Sequence, residues 1–154
     1  MIPTKVNRGL KSGVIGTFAF SGPRRVQTAI LDSATETNNV FGRVFTYKDG
    51  DSSEQVVQAG GTGPIAGLMV EPLSATVIAA GIAANGSTAQ LCSMGEIYAT
   101  ALELEGKKIG EPVKYNPATG ELTMGAGTDI PNCFLARHEP SAETPNLCVI
   151  RITN

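Results

Sequence analysis

The stretch Val113-Lys114-Tyr115-Asn116-Pro117-Ala118-Thr119-Gly120-Glu121-Leu122-Thr123-Met124 decides the fold class. Pro117 suits an early turn position because its ring pre-sets φ, and Gly120 suits the end of the turn, where a positive φ is often needed. The segment therefore has the form strand, turn, strand. Working outward, a strand is expected over 97–104, and a Gly-rich link, Gly125-Ala126-Gly127-Thr128, leads to Ile130-Pro131-Asn132. Two further strands are expected over 133–137 and 148–152, the last with Cys148, Ile150 and Ile152 alternating against Val149, Arg151 and Thr153.

The N-terminal half continues the pattern. Residues 14–20 read as a strand with Val14, Phe18 and Phe20 on one parity, closed by the turn Ser21-Gly22-Pro23. Residues 25–31 read as a strand with Val26, Thr28 and Ile30 facing in and Arg25 and Gln27 facing out. Residues 40–47 are dense in β-branched and aromatic side chains and read as a strand, with Phe41, Phe45 and Tyr47 sharing a parity with Arg43. Returning strands are expected over 54–58, 65–70 and 90–92. Residues 73–84 have partial helical spacing at Leu73, Val77, Ile78 and Ile82 but also Thr76 and Gly81, so a short helix competes evenly with strand or loop. No repeat of fixed period is visible and no linker divides the chain. Many short strands with turn signals about every 8–12 residues indicate an all-β protein, a sandwich or barrel with at most one short helix. The expected organisation is a single domain, with an irregular arm over 1–13 and a β domain over 14–154.

Composition narrows the function classes. A chain of 154 residues buries enough surface to fold without metal or disulfide staples. Only 17% of residues are charged, which suits a surface that hides against partners. There is no Trp and aromatics are 5%, so a base-stacking platform for single-stranded nucleic acid is not expected. The net charge of −2 argues against a generally basic surface, yet no Asp or Glu precedes Asp32, while Lys5, Arg8, Lys11, Arg24 and Arg25 all do. That asymmetry marks an arm or patch that faces something negative. Cys92, Cys133 and Cys148 are an odd number at irregular spacing, read as free thiols of a protein assembled in a reducing cytoplasm. The start, Met1-Ile2-Pro3-Thr4-Lys5, does not open a signal peptide, and no stretch is long and apolar enough to span a bilayer.

Catalytic constellations are missing from the sequence pattern. His138 is the one histidine, in the charged loop Ala136-Arg137-His138-Glu139-Pro140. A nucleophile such as Cys133 or Cys148 would have to pair with it. Zinc-ligand spacings are absent. Asp49-Gly50-Asp51 resembles part of a calcium loop without its remaining ligands. Gly60-Gly61-Thr62-Gly63 lacks the Lys-Ser/Thr of a phosphate loop. Glu103 and Glu105 share a strand parity and read as a solvent face. No cofactor, metal or small-molecule substrate is expected.

The order of these signals carries a resemblance. Gly67-Leu68-Met69-Val70-Glu71-Pro72, then Ser93-Met94-Gly95, the strand over 97–104, the Tyr-Asn-x-x-Thr-Gly hairpin and Ile130-Pro131-Asn132 resemble the structural cement, or capsid decoration, proteins of tailed bacteriophages. The likeness covers roughly the C-terminal two-thirds and fades towards the N-terminus. It implies a jelly-roll-like or barrel-like β module on the outside of an expanded capsid, in the virion. The implied partners are the major capsid protein and the protein itself, as dimer or trimer, with no nucleic acid and no membrane. Lys5, Arg8, Lys11, Arg24 and Arg25 are the expected capsid contacts. The rival expectations are a head–tail joining or tail-tube component, an enzyme using His138, and a nucleic-acid module using the basic arm.

Overall fold

The computed structural model describes residues 13–48, 55–71, 77–79 and 81–153. Among these residues eleven strands run in order: β1 (Arg25–Leu31), β2 (Val44–Tyr47), β3 (Val56–Ala59), β4 (Ile65–Val70), β5 (Val77–Ala79), β6 (Ile82–Ala83), β7 (Thr88–Leu102), β8 (Pro112–Tyr115), β9 (Leu122–Thr123), β10 (Thr128–His138) and β11 (Leu147–Ile152). A 3-10 turn, Glu36–Asn38, lies between β1 and β2.

Nine of these strands form one sheet that closes on itself twice. The order β1-β3-β2-β4-β7 returns to β1, and β7-β11-β10-β8-β9 returns to β7. Two five-stranded rings therefore share the long strand β7. Its first part pairs with β1 and β4 (Val26 and Leu68 both opposite Cys92), and its second part with β11 and β9 (Ile150 opposite Ile97, Leu122 opposite Ala101). Five strands in a closed ring cannot all alternate in direction, so one pair in each must be parallel. That pair is β1–β3 in one ring and β7–β9 in the other.

The rings have the same connectivity. In each, the first strand pairs in parallel with the third, and the second, fourth and fifth complete the circuit antiparallel. The fourth strand of each also bends at a positive-φ residue, Gly67 (φ 148°) in β4 and Asn132 (φ 55°) in β10. This duplication leaves no periodic trace in the sequence, because it lies in pairing and not in residue identity.

Side chains sort by ring. Ala29, Leu31, Phe45, Val57, Met69 and Leu91 fill the first. Ile97, Ala99, Val113, Tyr115, Leu122, Cys133, Leu135, Cys148 and Ile150 fill the second. The opposite faces of β2, β4 and β7 contribute Val44, Leu68, Val70 and Cys92 to that second core, so the rings are joined by buried apolar surface as well as by a strand.

The structure revises several expectations. Residues 14–20 are not a strand. Gly16 turns the chain at φ 86°, and only Phe18 makes a bridge, to Ile97. Ile15 and Ala19 of this segment pack instead on Tyr98, Ala136, Leu147 and Val149. Val149 is therefore buried as fully as its neighbours, and β11 is covered on both faces where a half-buried alternation was expected. The strand expected over 40–47 begins at Val44 because Gly42 turns at φ 78°. The segments 90–92 and 97–104 are one strand, since Ser93, Met94 and Gly95 stay extended between them. Glu103 lies past the end of β7 at φ 55°, so Glu103 and Glu105 belong to a turn and not to a strand face. The described part of 73–84 is not helical: Gly81, at φ 78°, lies between β5 and β6, and Ala83 exchanges hydrogen bonds with Asn39.

The facing of β1 is inverted. Ala29 and Leu31 are buried, whereas Ile30 is 49% and Val26 36% exposed. Gln27 points inward, its amide donating to the Tyr47 hydroxyl and to the Ala66 carbonyl at 2.8 and 2.9 Å. A half-buried amide with both donors satisfied is tolerated, and this facing puts the apolar residues Val26 and Ile30 on the outer wall.

Candidate functional site

The hairpin that announces the fold also locks the two rings. Asn116 shapes its turn: the side-chain oxygen accepts from the Ala118 amide at 2.9 Å and the carbonyl from the Gly120 amide at 2.7 Å. The turn then docks on the end of β3. The Val44 amide donates to the Gly120 carbonyl (2.8 Å), the Gly61 amide to the Pro117 carbonyl (2.6 Å), and the Tyr115 hydroxyl to the Gly61 carbonyl (2.9 Å). Arg43 reaches the Thr119 carbonyl at 3.2 Å. The glycines at 60 and 61 thus spend their amides on Val44 and Pro117, which is a joint and not a phosphate cradle.

The sequence-predicted contact residues divide. Lys5, Arg8 and Lys11 lie outside the described residues, as does the Asp49-Gly50-Asp51 turn. Arg24 and Arg25 are both exposed and adjacent at the start of β1. The Arg24 guanidinium sits 4.4 Å from the centroid of the Phe18 ring, a cation–π contact that holds one charge in place. Phe20 stands nearby in sequence and is 61% exposed. A surface with fixed positive charge and exposed apolar side chains therefore runs from residue 20 along β1. Val26 and Ile30 belong to it and were missed from the sequence. Both parities of β1 carry two apolar residues, and only Gln27 and its partners across the ring set the facing.

The residues that a catalytic reading would need are dispersed. His138 ends β10, exposed, with its ring Nε2 at 2.8 Å from the Lys107 carbonyl. Cys148 is opposite His138 in the β10–β11 register, yet its thiol is buried and turned to the Ala99 carbonyl. Burial pushes the Cys148 thiol up to about 12 and raises that of Cys133 further, so neither is a thiolate at neutral pH. All three cysteines are free and buried. Among the described residues no group of three or more His, Cys, Asp or Glu side chains is placed to hold a metal ion, and no helix is long and apolar enough to cross a membrane.

The family model of the structural cement protein (E217 gp24/Pam3 gp6) matches residues 2–153. The chain belongs to this phage structural cement protein family. Among solved structures, a chain of "The capsid of Myoviridae Phage XM1" superimposes with a TM-score of 0.70 at 14% identity, over 99% of this chain and 98% of that one. The two share a fold. No curated protein matches the chain. The cement protein is thus a structural, capsid-associated component of the virion, and the match extends through the N-terminal stretch where the sequence motifs fade.

Proposed function

We propose that this cement protein decorates the outside of the expanded phage capsid and bridges subunits of the major capsid protein. The family match over residues 2–153 carries the reading. The exposed Phe20, Arg24, Arg25, Val26 and Ile30 support it with a surface of apolar and cationic groups of the kind that protein interfaces bury. In this reading Lys5, Arg8 and Lys11 extend the same positive charge onto an acidic coat surface, and copies of the protein also associate with each other. The protein acts without chemistry, nucleic acid or membrane. A ligand that binds only the expanded shell stabilises it by about 2.7 kcal/mol per site at a hundredfold excess over Kd. Contact with two coat subunits at once adds effective concentration.

Co-sedimentation with the compact procapsid and with the expanded capsid stripped of accessory proteins tests this. Saturable binding to the expanded shell alone is expected. Absence of binding to either shell overturns the reading and returns the protein to the head–tail joint or tail tube. Deleting residues 2–12 and, separately, reversing Arg24 and Arg25 to Glu should each weaken binding severalfold, with a steep salt dependence in the parent protein.

A further inference from the structure

Asn85-Gly86 is the one Asn-Gly pair in the sequence, and it forms the turn from β6 into β7. Gly86 takes φ 78°, and Ser87 closes the turn onto the Ala84 carbonyl through its amide at 3.2 Å and its hydroxyl at 2.6 Å. Asn85 is exposed as a residue, yet its carboxamide is engaged at both ends. Oδ1 accepts from the Ser33 amide at 3.0 Å and from Nδ2 of Asn39 at 2.8 Å, and Nδ2 donates to the Ser33 carbonyl at 2.8 Å. The side chain pairs with the Ser33 main chain as a neighbouring strand would. One step earlier the pairing is main chain to main chain: Gly86 donates to the Leu31 carbonyl at 2.7 Å and Leu31 to the Ser87 carbonyl at 3.1 Å. Asn85 thus ties the end of β1 to the start of β7 and closes the corner of the first ring.

Asparagine before glycine is also chemically labile in water, because glycine has no Cβ to shield its nitrogen. That nitrogen attacks the asparagine Cγ. The new N–Cγ bond closes a cyclic imide, the Cγ–Nδ2 bond breaks, and ammonia leaves with the proton that the glycine amide gives up. Water then opens the imide at either carbonyl, which leaves aspartate or isoaspartate. In the folded chain both reacting groups are held: the Gly86 N–H on Leu31 and the Asn85 carboxamide on Ser33 and Asn39. We propose that Asn85 is the deamidation site of this cement protein, and that the fold confines the reaction to chains whose β6–β7 corner has opened. The product cannot close the corner again. Aspartate at this position has no donor for the Ser33 carbonyl, and its charge lies beside Glu36, whose Oε1 accepts from the Asn85 amide at 2.7 Å. Isoaspartate lengthens the main chain of the turn and shifts its register. Deamidation at Asn85 is therefore a one-way record of local opening.

The inference does not rest on the capsid reading, and its test needs no shell. The full chain is incubated at mildly alkaline pH, folded in buffer and unfolded in urea, and its peptides are followed by mass spectrometry. In urea the peptide containing Asn85 should deamidate ahead of every other asparagine peptide and yield isoaspartate. In the folded chain the same peptide should react roughly tenfold more slowly or less, since only the opened fraction reacts. Asn39→Ala removes one donor to the Asn85 carboxamide and should speed the reaction in the folded chain severalfold while leaving the urea rate unchanged. Asn85→Asp should melt below the parent and lose hydrogen-exchange protection at the Ser33 and Gly86 amides. Equal rates in buffer and in urea, faster reaction at another asparagine in urea, or an Asn85→Asp variant with parental melting and protection would each overturn the proposal.

Discussion

Gly60 and Gly120 stand back to back across the joint between the two rings. A Cβ on Gly60 would lie 2.8 Å from the Gly120 nitrogen and 2.4 Å from the Pro117 carbonyl oxygen, and a Cβ on Gly120 would lie 2.7 Å from the Gly60 nitrogen and 2.4 Å from the Val44 carbonyl oxygen. Both residues also have positive φ, 69° and 73°. The contact is backbone against backbone, so no side chain can move aside to admit a methyl group.

Gly60→Ala and Gly120→Ala should therefore each cost more than backbone conformation alone. Left-handed backbone costs an L-residue about 1–2 kcal/mol, and forcing a methyl into close-packed atoms adds about 1–3 kcal/mol. Gly106 provides the control: its φ is 75°, with nothing within 4 Å of a built Cβ. Thermal melting should show Gly106→Ala losing a few degrees and the other two clearly more. Equal losses at all three positions would mean that the joint does not constrain the fold.

Tyr115→Phe isolates the polar side of the same joint. The ring is 1% exposed, and its hydroxyl donates to the Gly61 carbonyl. Removing the donor leaves the packing in place and strips a hydrogen bond, for an expected loss of about 0.5–1.5 kcal/mol. Urea unfolding should show a lower midpoint at an unchanged slope.

Facing in β1 can be tested by a pair of neighbours. Leu31→Ala empties a site in the first ring and should cost about 2–5 kcal/mol. Ile30→Ala, on the outer wall, should stay within about 0.5 kcal/mol for the single chain, as surface substitutions do. The reverse ranking would restore the facing read from the sequence.

That inversion shows where the sequence was legible. The Asn116-to-Gly120 turn was, because Pro117 and Gly120 leave few conformations open, and β8 and β9 pair around it as the expected hairpin, with Tyr115 opposite Leu122. The all-β class and most strand positions were legible for the same local reasons. Ring closure was not, since the β1–β3 and β7–β9 parallel pairings join segments whose residues say nothing of each other. Facing in β1 was ambiguous between Val26/Ile30 and Ala29/Leu31 until the Tyr47 hydroxyl and Ala66 carbonyl drew Gln27 inward. Burial of Val149 depended on Ile15 and Ala19, whose segment carries strand composition but turns at Gly16. Of the exposed residues at and along β1, Arg24 and Arg25 were singled out through charge asymmetry, while Val26 and Ile30 were hidden by the wrong parity.

The buried thiols predict a pH dependence with a definite sign. The folded-state value of Cys148 is raised to about 12 and that of Cys133 is raised as well, both chiefly by burial, against an unfolded value of 9.0. A raised folded value means that the native state binds more protons than the unfolded state above that unfolded value. Stability from these groups is then complete below about pH 9 and falls as pH rises towards 12. Lys and Tyr side chains titrate in the same window, so the comparison must be made against variants. Cys148→Ala and Cys133→Ala will be less stable than the parent at neutral pH through lost packing, yet their stability should fall less steeply above pH 9. Denaturant melts across that range measure the slope directly. A slope unchanged by either substitution would show that the thiols titrate alike in the folded and unfolded chains, and that their burial in the second ring does not suppress ionisation.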